Sequence, residues 1–374
     1  AAYEHAVSRV CGLPIAAVRH TTRRTADSLA RAYGSVQDAR PVGSVSRWRD
    51  PLTRSGRAVW TRRGDVFAVH APGNHPGVHT IWLEALALGY RVAVRPSRRE
   101  PFTPHRLVSV LRDAGFGDDQ VVLLPTDHAG AGDVIRDADL AMVYGVDEVV
   151  RRYGTETGVL PQGPGRSKIL VTGEDWRPHL DTIVDSISQH GGTGCVNASV
   201  VYVEGDPDPV ARAIADRLSA LPSLPPEDEK AALPVQPLAA ARRLESYLMR
   251  RARGATALLG GDGVVDDLGD GSAVLRPAVF RVSARQAPGA GVELPFPLVW
   301  VAPWHPDDGV RPLADTLVLT VFTEDEQLVS RLVDEPTISN VFIGEHPTYH
   351  MEPGLPHDGY LADFLMRTKT VVRG

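Results

Sequence analysis

Short apolar runs separated by helical patterns dominate the chain from residue 65 onward. The runs at 65–71, 90–95, 120–124, 139–144 and 168–172 predict strands, and helical periodicity between them predicts helices over 76–88, 103–114, 130–137 and 146–153. Pro76 suits the first turn of its helix, because the missing N–H is unpaired there anyway. Gly89 is placed to end it, since glycine tolerates the left-handed conformation of a C-cap. Alternation of this kind implies a parallel sheet with crossover helices, the architecture of a dinucleotide-binding domain. No Gly-x-Gly-x-x-Gly follows the first strand, however.

A second α/β unit begins near Asp175. A helix over 178–189 leads to a glycine-rich turn, a strand at 199–203 and a helix over 207–219. Residues 220–236, rich in proline and acid, predict a surface connection, and a helix over 237–252 follows. Further strands are expected at 256–259, 278–282, 298–302, 317–322 and 339–343, and Gly260-Gly261-Asp262-Gly263 suits a tight turn. Ala2 through Ala6 read as part of a helix, so a segment ahead of them is expected. There is no internal repeat and no coiled-coil heptad.

Composition narrows the function classes. A formal charge of -6 argues against a nucleic-acid binder. The two cysteines, at 11 and 195, give no disulfide framework. No signal segment opens the chain, and the best apolar run, Ile81 to Val94, is broken by Glu84, Gly89 and Arg91. A cytosolic protein without a membrane span is expected. Of 40 basic residues only Lys168, Lys230 and Lys369 are lysine, which fits a GC-rich genome. Seven arginines between Arg40 and Arg63 read as a solvated loop or as a contact for substrate phosphates or an acidic carrier.

Chemistry concentrates on Cys195, in Gln189-His190-Gly191-Gly192-Thr193-Gly194-Cys195. A thiol in a glycine-rich turn before a buried strand meets a substrate carbonyl with little crowding, and backbone N–H groups of the turn can face the resulting oxyanion. The competing reading is an inert, packed cysteine. Upstream, Pro72-Gly73-Asn74-His75-Pro76 places Asn74 at a strand-to-helix junction. There its amide either donates to an oxyanion or caps the helix. Val94-Arg95-Pro96-Ser97 and Glu293-Leu294-Pro295-Phe296-Pro297 complete the set. The histidines lack metal-ligand spacing; His346 and His350 come nearest, with Pro347 between them. No Gly-x-Ser-x-Gly elbow supports a serine hydrolase.

In this order and rough spacing, the four segments resemble the aldehyde dehydrogenase superfamily, from about residue 60 to the C-terminus. The resemblance implies an α/β fold of two Rossmann-like domains with parallel sheets and the active site between them. It makes 1–172 the dinucleotide-binding domain, 173–352 the catalytic domain, and 353–374 a tail that packs back or bridges subunits of a homo-oligomer. It casts Cys195 as nucleophile and Asn74 as oxyanion donor. Arg95 and Ser97 fall on the stretch that holds the adenosine ribose, Glu293 on the one that holds the nicotinamide ribose, and Gly145 on a glycine turn whose usual serine is here Val146. His357, in the tail, becomes a candidate proton donor.

Within the superfamily the chain looks most like the acyl-thioester reductases, the group with the long-chain acyl-CoA reductases. Pro72-Gly73-Asn74 replaces the Pro-Trp-Asn of aldehyde oxidisers, and Gly163-Pro164-Gly165-Arg166-Ser167-Lys168 stands where oxidisers carry Glu-Leu-Gly-Gly-Lys. Hydrolysis of an acyl-enzyme needs a general base, and that glutamate is missing; Glu156 and Glu174 only flank the stretch. The implied reaction is reduction of an acyl-CoA or carrier-bound acyl group to an aldehyde. Acyl-phosphate reduction, aldehyde oxidation and a non-catalytic scaffold are the alternatives. Arg98 falls where relatives that prefer NAD carry an acid, so NADPH is expected over NADH, unless Arg98 and Arg99 only face solvent.

Overall fold

The computed structural model describes residues 1–283, 291–352 and 354–374. Pro353, where the expected tail begins, lies outside the described residues. The chain divides into two compact units, one of residues 1–20 with 164–350 and the other of residues 21–163 with 351–374. Among the described residues no helix is long and apolar enough to cross a membrane.

In the unit of residues 21–163 and 351–374, five parallel strands lie in the order Val121–Leu123, Arg91–Arg95, Val66–His70, Leu140–Tyr144, Val159–Gln162. Counted from Val66–His70 this is the order 3-2-1-4-5 of a Rossmann-like sheet. The first four strands and the helices His79–Ala87, Phe102–Asp113, His128–Arg136 and Asp147–Tyr153 match the pattern of the sequence. Strand residues point alternately to two faces. Phe67, Val69, Val92, Val94 and Met142 pack with Trp82, Leu83 and Leu111, while Ala68, Ala141 and Val143 pack with Val134, Ile135 and Val149.

Val159–Gln162 was not anticipated. It holds Pro161, which cannot donate to a ladder and is tolerated because the strand is at an edge. The arginine-rich stretch is also more than a loop. Arg57–Arg62 pairs antiparallel with Met366–Val371 in a two-stranded ribbon.

In the other unit, a seven-stranded sheet runs Thr256–Leu259, Ala278–Arg281, Leu298–Trp304, Val200–Glu204, Lys168–Val171, Thr316–Phe322, Ile338–Ile343. All are parallel except the Thr256–Leu259 edge. Both faces are covered. Leu170, Val200, Tyr202, Trp300 and Ala302 pack with Ala241 and Leu248 of helix Leu238–Arg251. Ile169, Val171, Val201, Val203, Val299 and Val301 pack with helices Leu180–Ser188 and Asp208–Ser219. Burial on both faces explains why these strands read as continuous apolar runs.

Residues 220–236 are not simply a surface connection. Ala231, Leu233 and Val235 are buried. Ile15 N donates to Pro226 O, Val235 N to Gly12 O, and Arg9 and Arg19 pair with Glu227 and Glu229. The acids of this segment thus serve the N-terminal helix Ala2–Cys11 and the start of the long helix Ile15–Asp38.

Glu84, on helix His79–Ala87, is largely buried, and burial pushes its carboxyl up to about 7, with His357 nearby pulling the other way. A carboxyl raised in the folded state stabilises the fold below its unfolded value of about 4.5, and that contribution is lost as pH rises through about 7. Glu84→Gln should therefore leave the melting temperature little changed at pH 5 and raise it by roughly 2–6 °C at pH 8. Thermal melts of both proteins across this range check the sign.

Candidate active site

Cys195 is half-buried in the turn just before strand Val200–Glu204. The strand's two parallel neighbours are Lys168–Val171 and Leu298–Trp304. The loops entering these strands carry Gly165-Arg166-Ser167 and Glu293 through Pro297, so the fold brings both segments to the edge that holds the thiol.

Contacts there are close. A Cβ on Gly165 would fall 1.9 Å from the carbonyl oxygen of Cys195. Ser167, fully buried, donates its hydroxyl to that same oxygen at 2.9 Å. A Cβ on Gly192 would meet Pro297 N at 2.6 Å. Glu293 Oε2 accepts the Arg166 amide at 3.0 Å, with Arg166 left-handed at φ 48°. Next along, the Lys168 ammonium donates to Ala314 O at 2.6 Å, to Asp315 O at 3.2 Å and to Thr316 Oγ1. Burial lowers its pKa to about 8.

The cysteine turn has its own architecture. His190, Gly191 and Gly192 are successively left-handed, at φ 53°, 75° and 65°. Such a run costs glycine little, but is unusual for His190. A β-turn then closes Gly194 to Asn197 (Asn197 N donating to Gly194 O at 3.0 Å), with Cys195 as its second residue. The Asn197 side chain seals it from the other side.

In the unit of residues 21–163 and 351–374, the remaining candidates gather at the C-terminal edge of the five-stranded sheet. Asn74 follows strand Val66–His70; Ser97 and Arg98 follow Arg91–Arg95, whose last residue is Arg95; Gly145 follows Leu140–Tyr144. Asn74 does not fill the N-cap of the turn Pro76–Val78, because His75 Nδ1 accepts Gly77 N there at 3.1 Å. Gly73 lies against Ser97: a Cβ would fall 2.3 Å from Ser97 Oγ. That approach gives a steric reason for the Pro-Gly-Asn sequence.

Arg95 is buried, with Nη2 donating to Asp127 O at 3.3 Å and Nε lacking a hydrogen bond. Burial lowers its pKa, with Arg98 adding to the effect. Burial also brings neighbouring His70 down to about 4, with the Arg95 charge contributing, so the imidazole is neutral at pH 7. Arg98 and Arg99 are exposed. Gly145 is required by packing, since a Cβ would fall 2.4 Å from Val149 Cγ2.

Cys195 and Glu293 thus share one sheet edge, while Asn74, Arg95, Ser97, Arg98 and Gly145 share an edge in the other unit. Glu174 is exposed beyond the C-terminal end of strand Lys168–Val171, the end away from Cys195. Glu156 is exposed in the other unit. The His346 and His350 rings are 5.0 Å apart, yet among the described residues no group of His, Cys, Asp or Glu is placed to hold a metal ion. His357 pairs with Asp358 at 3.6 Å, in the unit that holds Glu84. Ser167 and Asn197 escaped the sequence reading. The signal available for them was a pair of small polar residues flanking buried strands, which many turns share.

The family described as the aldehyde dehydrogenase family matches residues 2–368. Human aldehyde dehydrogenase 1A1 is 26% identical over 150 residues, a stretch covering 36% of this chain and 29% of that protein. The matched stretch thus spans less than a third of that relative. Among solved structures, aldehyde dehydrogenase 21 from Physcomitrella patens, in complex with succinate, superposes with a TM-score of 0.81 at 19% identity, over 99% of this chain and 81% of the other. The glyceraldehyde-3-phosphate dehydrogenase GapN from Methanocaldococcus jannaschii, complexed with NADP, gives 0.80 at 16% identity, over 98% and 85%. These likenesses bear on the fold.

A methyl group at residue 165 has no room unless the cysteine turn shifts. Gly165→Ala should lower stability by roughly 1–3 kcal/mol, while Gly34→Ala, with nothing within 4 Å of the new Cβ on an exposed helix position, should be neutral or mildly stabilising. Urea denaturation midpoints of the two variants provide the comparison.

Proposed function

The chain belongs to the aldehyde dehydrogenase family, and from that premise we propose that it reduces an acyl thioester to an aldehyde with NADPH, through an acyl group carried on Cys195. The observation that carries the reading is the loop beside the thiol. Gly163 through Lys168 has no carboxylate, and counted back from Lys168 the glutamate of the oxidisers' stretch falls on Pro164. A water-activating base is missing from the segment where oxidisers keep one.

Cys195 Sγ attacks the acyl carbon and displaces the carrier thiolate, which leaves with a proton, so the thioester passes from carrier to enzyme. The glycine turn gives access to the thiol, and Ser167 fixes the backbone on which it stands. Asn74, in the turn after strand Val66–His70, serves as oxyanion donor. A reduced nicotinamide, when bound, supplies the hydride that converts the acyl group to the aldehyde and returns the thiolate.

The sheet order suits a dinucleotide, and the candidates lie where such sheets bind ligands, at the strand C-termini. Arg95, Ser97, Arg98 and Gly145 would hold it on that edge, and Glu293 would take the nicotinamide ribose. Asp147 and Glu148 fill the first turn of the helix after Gly145 and oppose a phosphate there. Exposed Arg98 and Arg99 therefore bear more of the recognition and suit a 2′-phosphate. The archaeal neighbour complexed with NADP is consistent with this choice. Acyl-CoA or an acyl carrier protein as donor, and a homo-oligomeric state, belong to the same reading. Aldehyde oxidation is the second reading, favoured by the names of the relatives and by Glu293, a carboxylate on the cysteine edge.

The two readings separate by product. Given aldehyde and oxidised cofactor, the enzyme should form free acid slowly, short by roughly the 10²–10⁴-fold that a general base contributes, and added CoA or carrier thiol should restore turnover. Rapid acid formation without thiol would establish the second reading. Cys195→Ala should abolish turnover, and mass spectrometry of the wild type with acyl thioester but no cofactor should find the acyl adduct at Cys195, not Cys11.

Cofactor choice is tested apart from chemistry. Arg98→Glu should lower kcat/KM for NADPH by ~10-fold or more, as loss of a charge-assisted bond and gain of a repulsion imply, while leaving NADH little changed. Equal preference in the wild type would return Arg98 and Arg99 to solvent-facing roles.

A further inference from the structure

We infer that Asn197 is the positioning residue of the nucleophile, a clamp that holds the Cys195 turn in one conformation; the inference rests on Cys195 being the nucleophile. Asn197 is 7% exposed, and its side-chain amide makes three hydrogen bonds. Its Oδ1 accepts Gly194 N at 2.8 Å, while Nδ2 donates to Ser186 O and to Gln189 O, each at 3.1 Å. Its backbone N–H donates to Gly194 O at 3.0 Å, so residues 194 and 197 are bonded in both directions around Cys195.

The need for a clamp follows from the sequence. Gly191, Gly192 and Gly194 give this segment more backbone freedom than any other residue would, and His190 must also be kept left-handed. Glycines let the segment pass close to Pro297, but they supply no side chain that can fix it. Asn197 supplies that restraint by tying the turn to the end of helix Leu180–Ser188 through Ser186, and to the following turn through Gln189. A nucleophile whose backbone wanders by an ångström loses rate without losing substrate access, because attack requires alignment that binding does not. The hydrogen bonds of Asn197 go to Gly194, Ser186 and Gln189 and to none of the cofactor candidates, so its effect falls on the acyl-transfer step.

The test compares Asn197→Ala and Asn197→Ser with the wild type, using an acyl thioester and reduced cofactor. In Asn197→Ala, kcat should fall roughly 10–100-fold, with the nicotinamide KM unchanged within about twofold. Its Cys195 should still take one equivalent of iodoacetamide, and its melt should stay cooperative. The serine variant, which keeps a short donor and acceptor, should lie between the two. A folded alanine variant with wild-type kcat overturns the inference, as does a loss that reduces kcat and cofactor binding alike. If the alanine variant does not fold, wild-type kcat in a cooperatively melting serine variant overturns it. Cys195→Ala separates the two claims: retained turnover there removes the nucleophile reading and this inference with it. Lost turnover there, with wild-type kcat in Asn197→Ala, removes this inference alone.

Discussion

The carbonyl oxygen of Cys195 occupies the space where a side chain at residue 165 would stand. That approach is possible because strands Lys168–Val171 and Val200–Glu204 are parallel neighbours, so both incoming loops reach the same edge of the sheet. Removing Cβ from one loop lets the backbone of the other come in, and the Ser167 hydroxyl then binds the carbonyl that the approach exposes. A buried carbonyl left without a donor would cost about 1–3 kcal/mol, so Gly165 and Ser167 work as a pair. This contact fixes the backbone of Cys195 against the loop of Gly165 and Ser167.

The same device recurs in the other unit. Gly73 lies on Ser97, joining the turn after strand Val66–His70 to the turn after Arg91–Arg95. Asn74 and the Ser97-Arg98-Arg99 run are therefore not independent: a shift of one turn moves the other. Electrostatics sort the positions along that edge. Buried Arg95 donates from Nη2 to the Asp127 carbonyl, whereas Arg98 and Arg99 are exposed. The acidic first turn after Gly145 works in the opposite sense. Under the proposed function, this polarity favours the cofactor phosphate beside the second strand over the fourth.

How much of this could be read beforehand depended on what each pattern encodes. Strands buried on both faces must be apolar throughout, so the runs at Val66–His70, Leu140–Tyr144, Val200–Glu204 and Thr316–Phe322 were legible. Val159–Gln162 was hidden by its proline, which an edge tolerates and a central strand does not. The acid- and proline-rich segment after residue 220 resembles a solvated loop in composition, and only the distant N-terminal helices turn its acids into partners. Cys195 and Asn74 could be singled out by their glycine- and proline-rich turns, and Glu293 only through the resemblance of its segment to the family. Asn197 could not, because its value lies in hydrogen bonds to Gly194, Ser186 and Gln189, and an asparagine near a turn ordinarily bonds its own local backbone.

Fold and chemistry consequently separate in this protein. The architecture is shared with structures at 16–19% identity, and an architecture hosts more than one reaction direction. Under the proposed function, direction turns on whether a carboxylate can activate water next to an acyl-cysteine. The loop that would carry it, residues 163–168, has Pro164 at that position and no carboxylate elsewhere. Glu293 reaches the same edge from the neighbouring strand, but one of its oxygens is held by the Arg166 amide, which fixes how the carboxylate can point. Under the proposed function, that orientation and the lack of a carboxylate in residues 163–168 favour a thiol over water as the acyl partner.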